Sequence, residues 1–294
     1  MVSNHELTIS LKRRAKEFLG ADLVGIASID RFKNGPKDMA PDYYLPDASS
    51  VIVLALSIPE GVIEVAGHYV EEGKTLGPYL WYGYPMLNWK LSSIAYEITK
   101  FLEKRRYKAI PFPPTGLQYR YVDKADFSHR HAAVAAGLGQ FGWNRLLLTP
   151  RFGAKQRLVS IITNASLLPD PFYNGPKLCK PEVCKTACVR LCPTKALYGK
   201  EICKIGNMVF NYSHIHPIRC RWAAFHEKGF FRTKIYMPKD PTSEDFENAK
   251  LRRTESDAEL SRQTFVPHCG ACLFFCPSPD FKTDKIKRIL KRDI

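Results

Sequence analysis

Cysteine is the residue type in this chain whose number and spacing promise chemistry. Of nine cysteines, six bunch at positions 184 to 192 and 269 to 276, with Cys179 just ahead of the first bunch. The two runs read "CKPEVCKTACVRLCP", holding Cys179, Cys184, Cys188 and Cys192, and "HCGACLFFCPSP", holding Cys269, Cys272 and Cys276, and each ends on a cysteine followed by proline. An odd cysteine count in a chain of 294 residues does not suit a disulfide framework, and a core of this size needs no covalent staples. Thiolates at such spacing are soft metal ligands, so the pattern points to a metal centre kept in a reducing compartment. Paired structural zinc sites would show two C-x2-C pairs where this chain has one, and a proline after the cysteine has no role in them.

Iron–sulfur binding does use that proline-flanked cysteine. In two-cluster ferredoxins three closely spaced cysteines wrap one iron–sulfur cube and a fourth, before proline, reaches across to the other. The second run has that spacing, whereas the first has gaps of four, three and three. Crossing the ligands predicts one 4Fe-4S cluster on Cys179, Cys184, Cys188 and Cys276. It predicts a second on Cys192, Cys269, Cys272 and one further thiol. Cys220, in "HPIRCRWAAF", is preferred for that place. Cys203, which falls on an expected helix after "CPTKAL", remains the alternative to Cys220 or to Cys179.

The elements that must position these thiols form two parts. Residues 1–170 alternate strand-like and helix-like patterns. "DLVGIASI", "SSVIVLALSI" and "YKAIPFPP" read as strands. Apolar residues from Leu87 to Leu102 recur at helical steps, a helix is expected over Asp126–Ala136, and "RLLLTPRFGAKQRLVSIIT" reads as two strands about a turn. Ser3 and Glu6 form a possible capping box at the start of the first helix. After "LLPDPFYNGPK" periodicity weakens and cysteines begin, which sets a boundary near 170. The second part, 171–294, includes a charged stretch near 238–262 expected to be an exposed insertion. The fold class expected is α+β.

The segment "YVDKADFSHRHAAVAAGLGQFGWNRLLLTPRFGAKQRLVSIITN", followed by "LCPTKAL", "RCRW" and "HCGACLFFCP", resembles the epoxyqueuosine reductases and the corrinoid reductive dehalogenases over nearly the whole chain. The resemblance implies a nitroreductase-like domain holding base-off cobalamin against a ferredoxin-like domain with two 4Fe-4S clusters. It implies two-electron reduction of a substrate by cob(I)alamin, with Asp123 as proton donor because Asp123 stands thirteen residues before the alanine of "AGLG". Tyr121, and behind it Tyr119, are the reserves for that role, since the dehalogenases use a tyrosine. Taken alone, Asp123 reads as a surface or capping aspartate. By position, Gly137, Gly139, Gly142, Asn144, Leu147, Gln156, Arg157 and Leu158 would line the corrin, although helix termination also explains the glycines. Trp143 replaces a usual lysine, and "VDKAD" lacks the usual alanine–proline. An electron donor such as ferredoxin or flavodoxin is implied as partner.

Charge bears on the substrate. The formal net charge is +15, and residues 171–294 carry 23 basic against 13 acidic side chains. Two clusters with their thiolates would bring about −4, leaving an excess of roughly +11. That excess tilts the expectation toward tRNA or another anionic substrate, with solvated lysines as the plainer reading of the tail. The beginning of the chain is no signal peptide, and its longest apolar run is too short to span a bilayer. The location expected is therefore cytoplasmic. A two-cluster electron-transfer protein without corrinoid is the competing reading.

Overall fold

Eight consecutive residues with almost no exposed side chain organise the first part of the molecule. In the computed structural model, which describes residues 3–71, 77–114, 125–224, 237–251 and 269–291, β2 (Ser50–Ser57) is buried nearly throughout. It lies between β1 (Leu23–Ser28) and β6 (Gln156–Thr163), and β3 (Ala109–Phe112) adds to the far side of β6, all antiparallel, in the order β1-β2-β6-β3. Side chains of a strand alternate between faces. Ile52, Leu54 and Leu56 accordingly join one core with Leu7 and Leu11 of α1 (Asn4–Arg13), while Val51, Val53 and Ala55 join another with Ala132 and Val134. Covering a sheet on both faces demands the unbroken apolar run that "SVIVLALS" supplies.

The first face is closed by the longest helix, whose residues Leu91, Ile94, Ile98 and Leu102 are buried at steps of three and four. In chain order the helices leading to it are α2 (Pro41–Tyr44), α3 (Glu60–Glu71) and α4 (Gly77–Tyr82), and the helix itself is α5 (Pro85–Glu103). The expected capping box is present: the Glu6 amide donates to Ser3 Oγ at 3.2 Å and the Ser3 amide donates to Glu6 Oε2 at 2.9 Å. The second face is closed by α6 (His129–Ala135), shorter than the 126–136 expected because Ser128 has extended backbone at the N-cap position.

The glycine pattern after α6 turns the chain into a small hairpin of β4 (Gln140–Phe141) and β5 (Leu147–Leu148). Gly137 has φ +71°, and any side chain there would run into the carbonyl of Pro171. Gly139 is equally closed, by the carbonyl oxygen of Leu148, and at Gly142 a Cβ would strike the Asn144 side chain.

Beyond residue 170 one expectation is corrected. The segment after "CPTKAL" is no helix but a hairpin of β7 (Leu197–Ile205) and β8 (Met208–Ile215), turned by Gly206 and Asn207, with Gly206 at φ +56°. A two-residue turn with glycine first and positive is what a twisted hairpin favours. Ile205 and Tyr212 pack this hairpin into the core that also holds Val53 and Val134. Short helices carry the thiols: α7 (Pro181–Cys184), α8 (Ala187–Arg190), α9 (Pro217–Trp222) and α11 (Ala271–Phe274), with α10 (Ser243–Leu251) and α12 (Thr283–Leu290) beside them.

Residues before and after 170 share their interior. Ile58, Ile63 and Tyr79 pack with Cys184, Leu191, Phe274 and Ile289 in one core, and Leu148 and Ala154 pack with Leu178 in another. Within the charged stretch 238–262, Ser243–Leu251 is helical and its Phe246 is fully buried against Trp222. Among the described residues no helix is long and apolar enough to cross a membrane.

Candidate metal centre and its neighbours

The short helices bring eight of the nine thiols into two groups. Cys179, Cys184, Cys188 and Cys276 line one cavity with an empty volume of about 350 Å³, part of it open to solvent. Burial first, and then Cys276, Cys179 and Cys184, raise the thiol of Cys188, and burial pushes Cys276 up to about 11. The second group gathers around Cys272, which is raised well above the usual thiol range by burial and then by Cys220, Cys269, Cys188 and Cys192. Cys220 sits at the surface of α9, yet enough protein surrounds its sulfur that desolvation, with Cys192 next, raises it too. Cys188 of the first group is among the thiols that raise Cys272, so the groups are neighbours. Each group mixes thiols of the first cysteine run with thiols of the last.

Cys203 stands apart. It lies on β7, where burial raises its thiol and Tyr212, Glu201 and Arg145 are its polar surroundings. The sequence left Cys203 as the alternative to Cys220 or to Cys179, read more readily as a packed thiol than a ligand, and the structure puts it on a strand beside Tyr212.

One turn of the first part touches both groups. The Trp143 amide donates to Cys179 Sγ at 3.2 Å, and the next residue, the buried Asn144, donates from Nδ2 to the Cys272 carbonyl at 2.9 Å. The Ala196 amide donates to Cys192 Sγ at 3.2 Å. Arg130 on α6 is half-buried, donates to the Arg145 carbonyl at 3.0 Å and lies within the field of Cys220 and Cys272. Burial and then Arg145 lower its pKa, while those two thiols oppose the lowering. A guanidinium so placed meets negative charge only when the thiols are ionised.

These features fit an iron–sulfur centre. Buried thiols whose ionisation is suppressed by desolvation and by one another need a cation to become thiolates. Among the described residues no three His, Cys, Asp or Glu side chains converge tightly enough to hold a single ion. The cavity also contains a buried hydroxyl, Ser278 Oγ, with no partner in the protein.

The residues expected to line a corrin have other occupations. Leu147 and Leu158 are in the core shared with α6. Gln156 is buried, donating from Nε2 to the Leu147 carbonyl at 2.9 Å and accepting from Thr149 Oγ1 at 3.1 Å. Arg157 donates to Asn88 Oδ1 at 3.0 Å, and its guanidinium stacks 3.7 Å over Tyr84. Asn144 and the three glycines are engaged as described above. None of these described residues leaves a buried side-chain polar atom without a partner. Asp123, Tyr121 and Tyr119 lie outside the described residues.

A reductive dehalogenase structure, described as suggesting a mechanism for B12-dependent dehalogenation, aligns over 98% of this chain and 38% of its own, with a TM-score of 0.56 at 14% identity. That likeness is one of fold. In sequence, the chain is related to both reductive dehalogenases and epoxyqueuosine reductases. The tetrachloroethene reductive dehalogenase of Dehalobacter restrictus is 34% identical over 118 residues, 39% of this chain and 19% of that protein. The epoxyqueuosine reductase of Bacillus subtilis is 27% identical over 207 residues, 68% of this chain and 46% of that protein. No protein-family model matches. The chain spans half or less of the length of the curated relatives it matches.

Proposed function

We propose that this chain is an iron–sulfur reductase related in chemistry to its epoxyqueuosine reductase and dehalogenase relatives, working with a corrinoid. The observation that carries the reading is the gathering of eight thiols, all but the surface Cys220 buried or half-buried, into two adjoining groups, each drawn from both cysteine runs. Cys179, Cys184, Cys188 and Cys276 would hold one 4Fe-4S cluster, and Cys192, Cys220, Cys269 and Cys272 a second. Bound there, the clusters would supply single electrons at low potential, and a corrinoid, where the chain holds one, would supply two-electron chemistry.

The chain's own residues have the remaining tasks. The Trp143 and Ala196 amides hold Cys179 and Cys192 in orientation and draw charge from their sulfurs. Arg130 offsets the negative charge that four thiolates bring to a buried place. Leu148, Leu178 and Phe275 give the first group apolar walls. Asp123 holds the proton for the reduced substrate, and Tyr121 is the alternative donor. The basic excess of residues 171–294 supports tRNA or another anionic substrate, whose affinity would then fall steeply with salt. A nitroreductase-like domain over 1–170, a ferredoxin-like domain over 171–294, a ferredoxin or flavodoxin as donor and a cytoplasmic location complete the reading.

The occupied state of Gln156, Arg157, Asn144 and the glycines favours a second reading, a two-cluster electron carrier without corrinoid. Anaerobic purification with iron, sulfide and corrinoid determination decides. About eight iron atoms with corrinoid support the first reading and eight without it the second. Colourless, iron-free protein defeats both.

A further inference from the structure

Ser278 stands two residues beyond Cys276, and its residue surface is only 1% exposed. Its Oγ is buried and finds no hydrogen-bond partner in the protein. Leaving a buried hydroxyl unpaired costs roughly 1–3 kcal/mol, and serines in turns ordinarily avoid this by bonding to nearby backbone. Ser278 does not. Its main chain is closely packed: the Ser278 carbonyl fits so closely over Gly153 that no side chain could stand there, and its amide bonds to the Cys276 sulfur. The residue lines the same cavity as Cys179, Cys184, Cys188 and Cys276, whose remaining walls include the apolar Leu148, Leu178 and Phe275.

We propose that the Ser278 hydroxyl donates a hydrogen bond to a sulfur of the cluster held by Cys179, Cys184, Cys188 and Cys276, and so tunes that cluster's reduction potential. The inference rests on the reading that these four thiols hold a cluster. A hydroxyl can rotate to aim its proton wherever an acceptor lies, and the sulfurs of a cluster are the acceptors that such an occupant brings into this apolar cavity. Each electron added to a cluster increases negative charge on its sulfurs, so a donor directed at one stabilises the reduced form more than the oxidised form. The potential rises with the hydrogen bond and falls without it. Ser278 is then a positioning and tuning residue rather than a catalytic one.

The test compares full-length, anaerobically purified wild-type protein with Ser278→Ala by redox titration followed by electron paramagnetic resonance. The alanine variant is expected to keep its iron and sulfide and to show one of two cluster potentials shifted to a more negative value, with the other unmoved. Pulsed resonance after transfer to heavy water should show one exchangeable proton coupling fewer at the shifted cluster. Ser278→Thr and Ser278→Val form a second, isosteric pair that differs only in the hydroxyl, and the threonine member should hold the higher potential. Potentials equal within either pair, or both clusters moving together, overturn the proposal. Those outcomes leave the cluster reading intact, whereas absence of iron from the wild-type protein removes the premise itself, and the hydroxyl's role with it.

Discussion

Replacing Gly139 by alanine asks whether the glycine pattern serves the protein's own packing or a cofactor. A Cβ at Gly139 would collide with the carbonyl oxygen of Leu148, far inside the 3.0 Å that real Cβ atoms keep from other heavy atoms. The obstacle is backbone, so no rotamer relieves it. Leu148 pairs with Gln140, the neighbouring Leu147 carbonyl accepts from Gln156 Nε2 at 2.9 Å, and Thr149 exchanges two hydrogen bonds of 2.9 Å with Gly153. Moving β5 therefore disturbs several bonds at once, and overpacking of this kind costs about 1–3 kcal/mol. For a chain this long the unfolding entropy makes each kcal/mol worth about 2 °C, so the melting temperature should fall by about 2–6 °C. Gly67, in the interior of α3, supplies the control, because a Cβ there meets nothing within 4 Å. Gly67→Ala should stabilise by about 0.5–1 kcal/mol through helix propensity and chain entropy. Calorimetry at a fixed scan rate on air-protected protein reads both variants, with extracted corrinoid measured in parallel. A Gly139→Ala variant that melts with the wild type but has lost bound corrinoid would refute the packing argument and return the glycine to the cofactor.

Three further predictions concern the site and its surroundings. Cys276→Ser should disturb the cluster associated with Cys179, Cys184 and Cys188, although Cys276 belongs to the other sequence run; resonance spectra that lose only the cluster bearing Cys269 would contradict this. Asp123→Asn should abolish turnover and leave iron and corrinoid content intact, and near wild-type turnover in the variant would remove Asp123 as the acid. The third is a pH dependence. Burial holds the His129 imidazole at about 4, and burial with the charges of Arg130 and Arg145 holds His131 at about 3. Above pH 6.5 both rings are neutral folded or unfolded and contribute no pH dependence. As pH falls below that value only the unfolded chain takes up the protons, so stability declines toward pH 4 for His129 and toward pH 3 for His131. Each ring lowers it by up to about 1.4 kcal/mol per pH unit. Denaturation midpoints at pH 7.5, 6.5 and 5.5 check the direction, and a midpoint that rises with acidity would contradict it.

Local rules were enough for several elements. The unbroken apolar run of β2, the helical spacing from Leu87 to Leu102 and the reciprocal bonds of Ser3 and Glu6 each depend on residues a few positions apart, and each is present. The β7–β8 hairpin carried an equally local mark, the Gly206-Asn207 pair between alternating side chains. It was obscured because exposed Tyr198, Ile202 and Val209 blur the contrast between its faces. Phe246 was hidden differently: its burial depends on Trp222, across a stretch of chain whose charged composition suggested exposure.

By itself the sequence determined that this chain offers thiols in two runs marked by proline, that its first part folds about an apolar strand, and that its relatives are reductases. Which thiols share a cavity, that Cys203 faces Tyr212, that Trp143 and Asn144 reach from one turn toward both groups, and that Ser278 is left with an unanswered hydroxyl were decided only in three dimensions. The physical reason is range. Spacing constrains atoms within a turn or two of one another, whereas a sulfur's neighbours depend on where cores shared by both parts of the chain bring distant segments to rest.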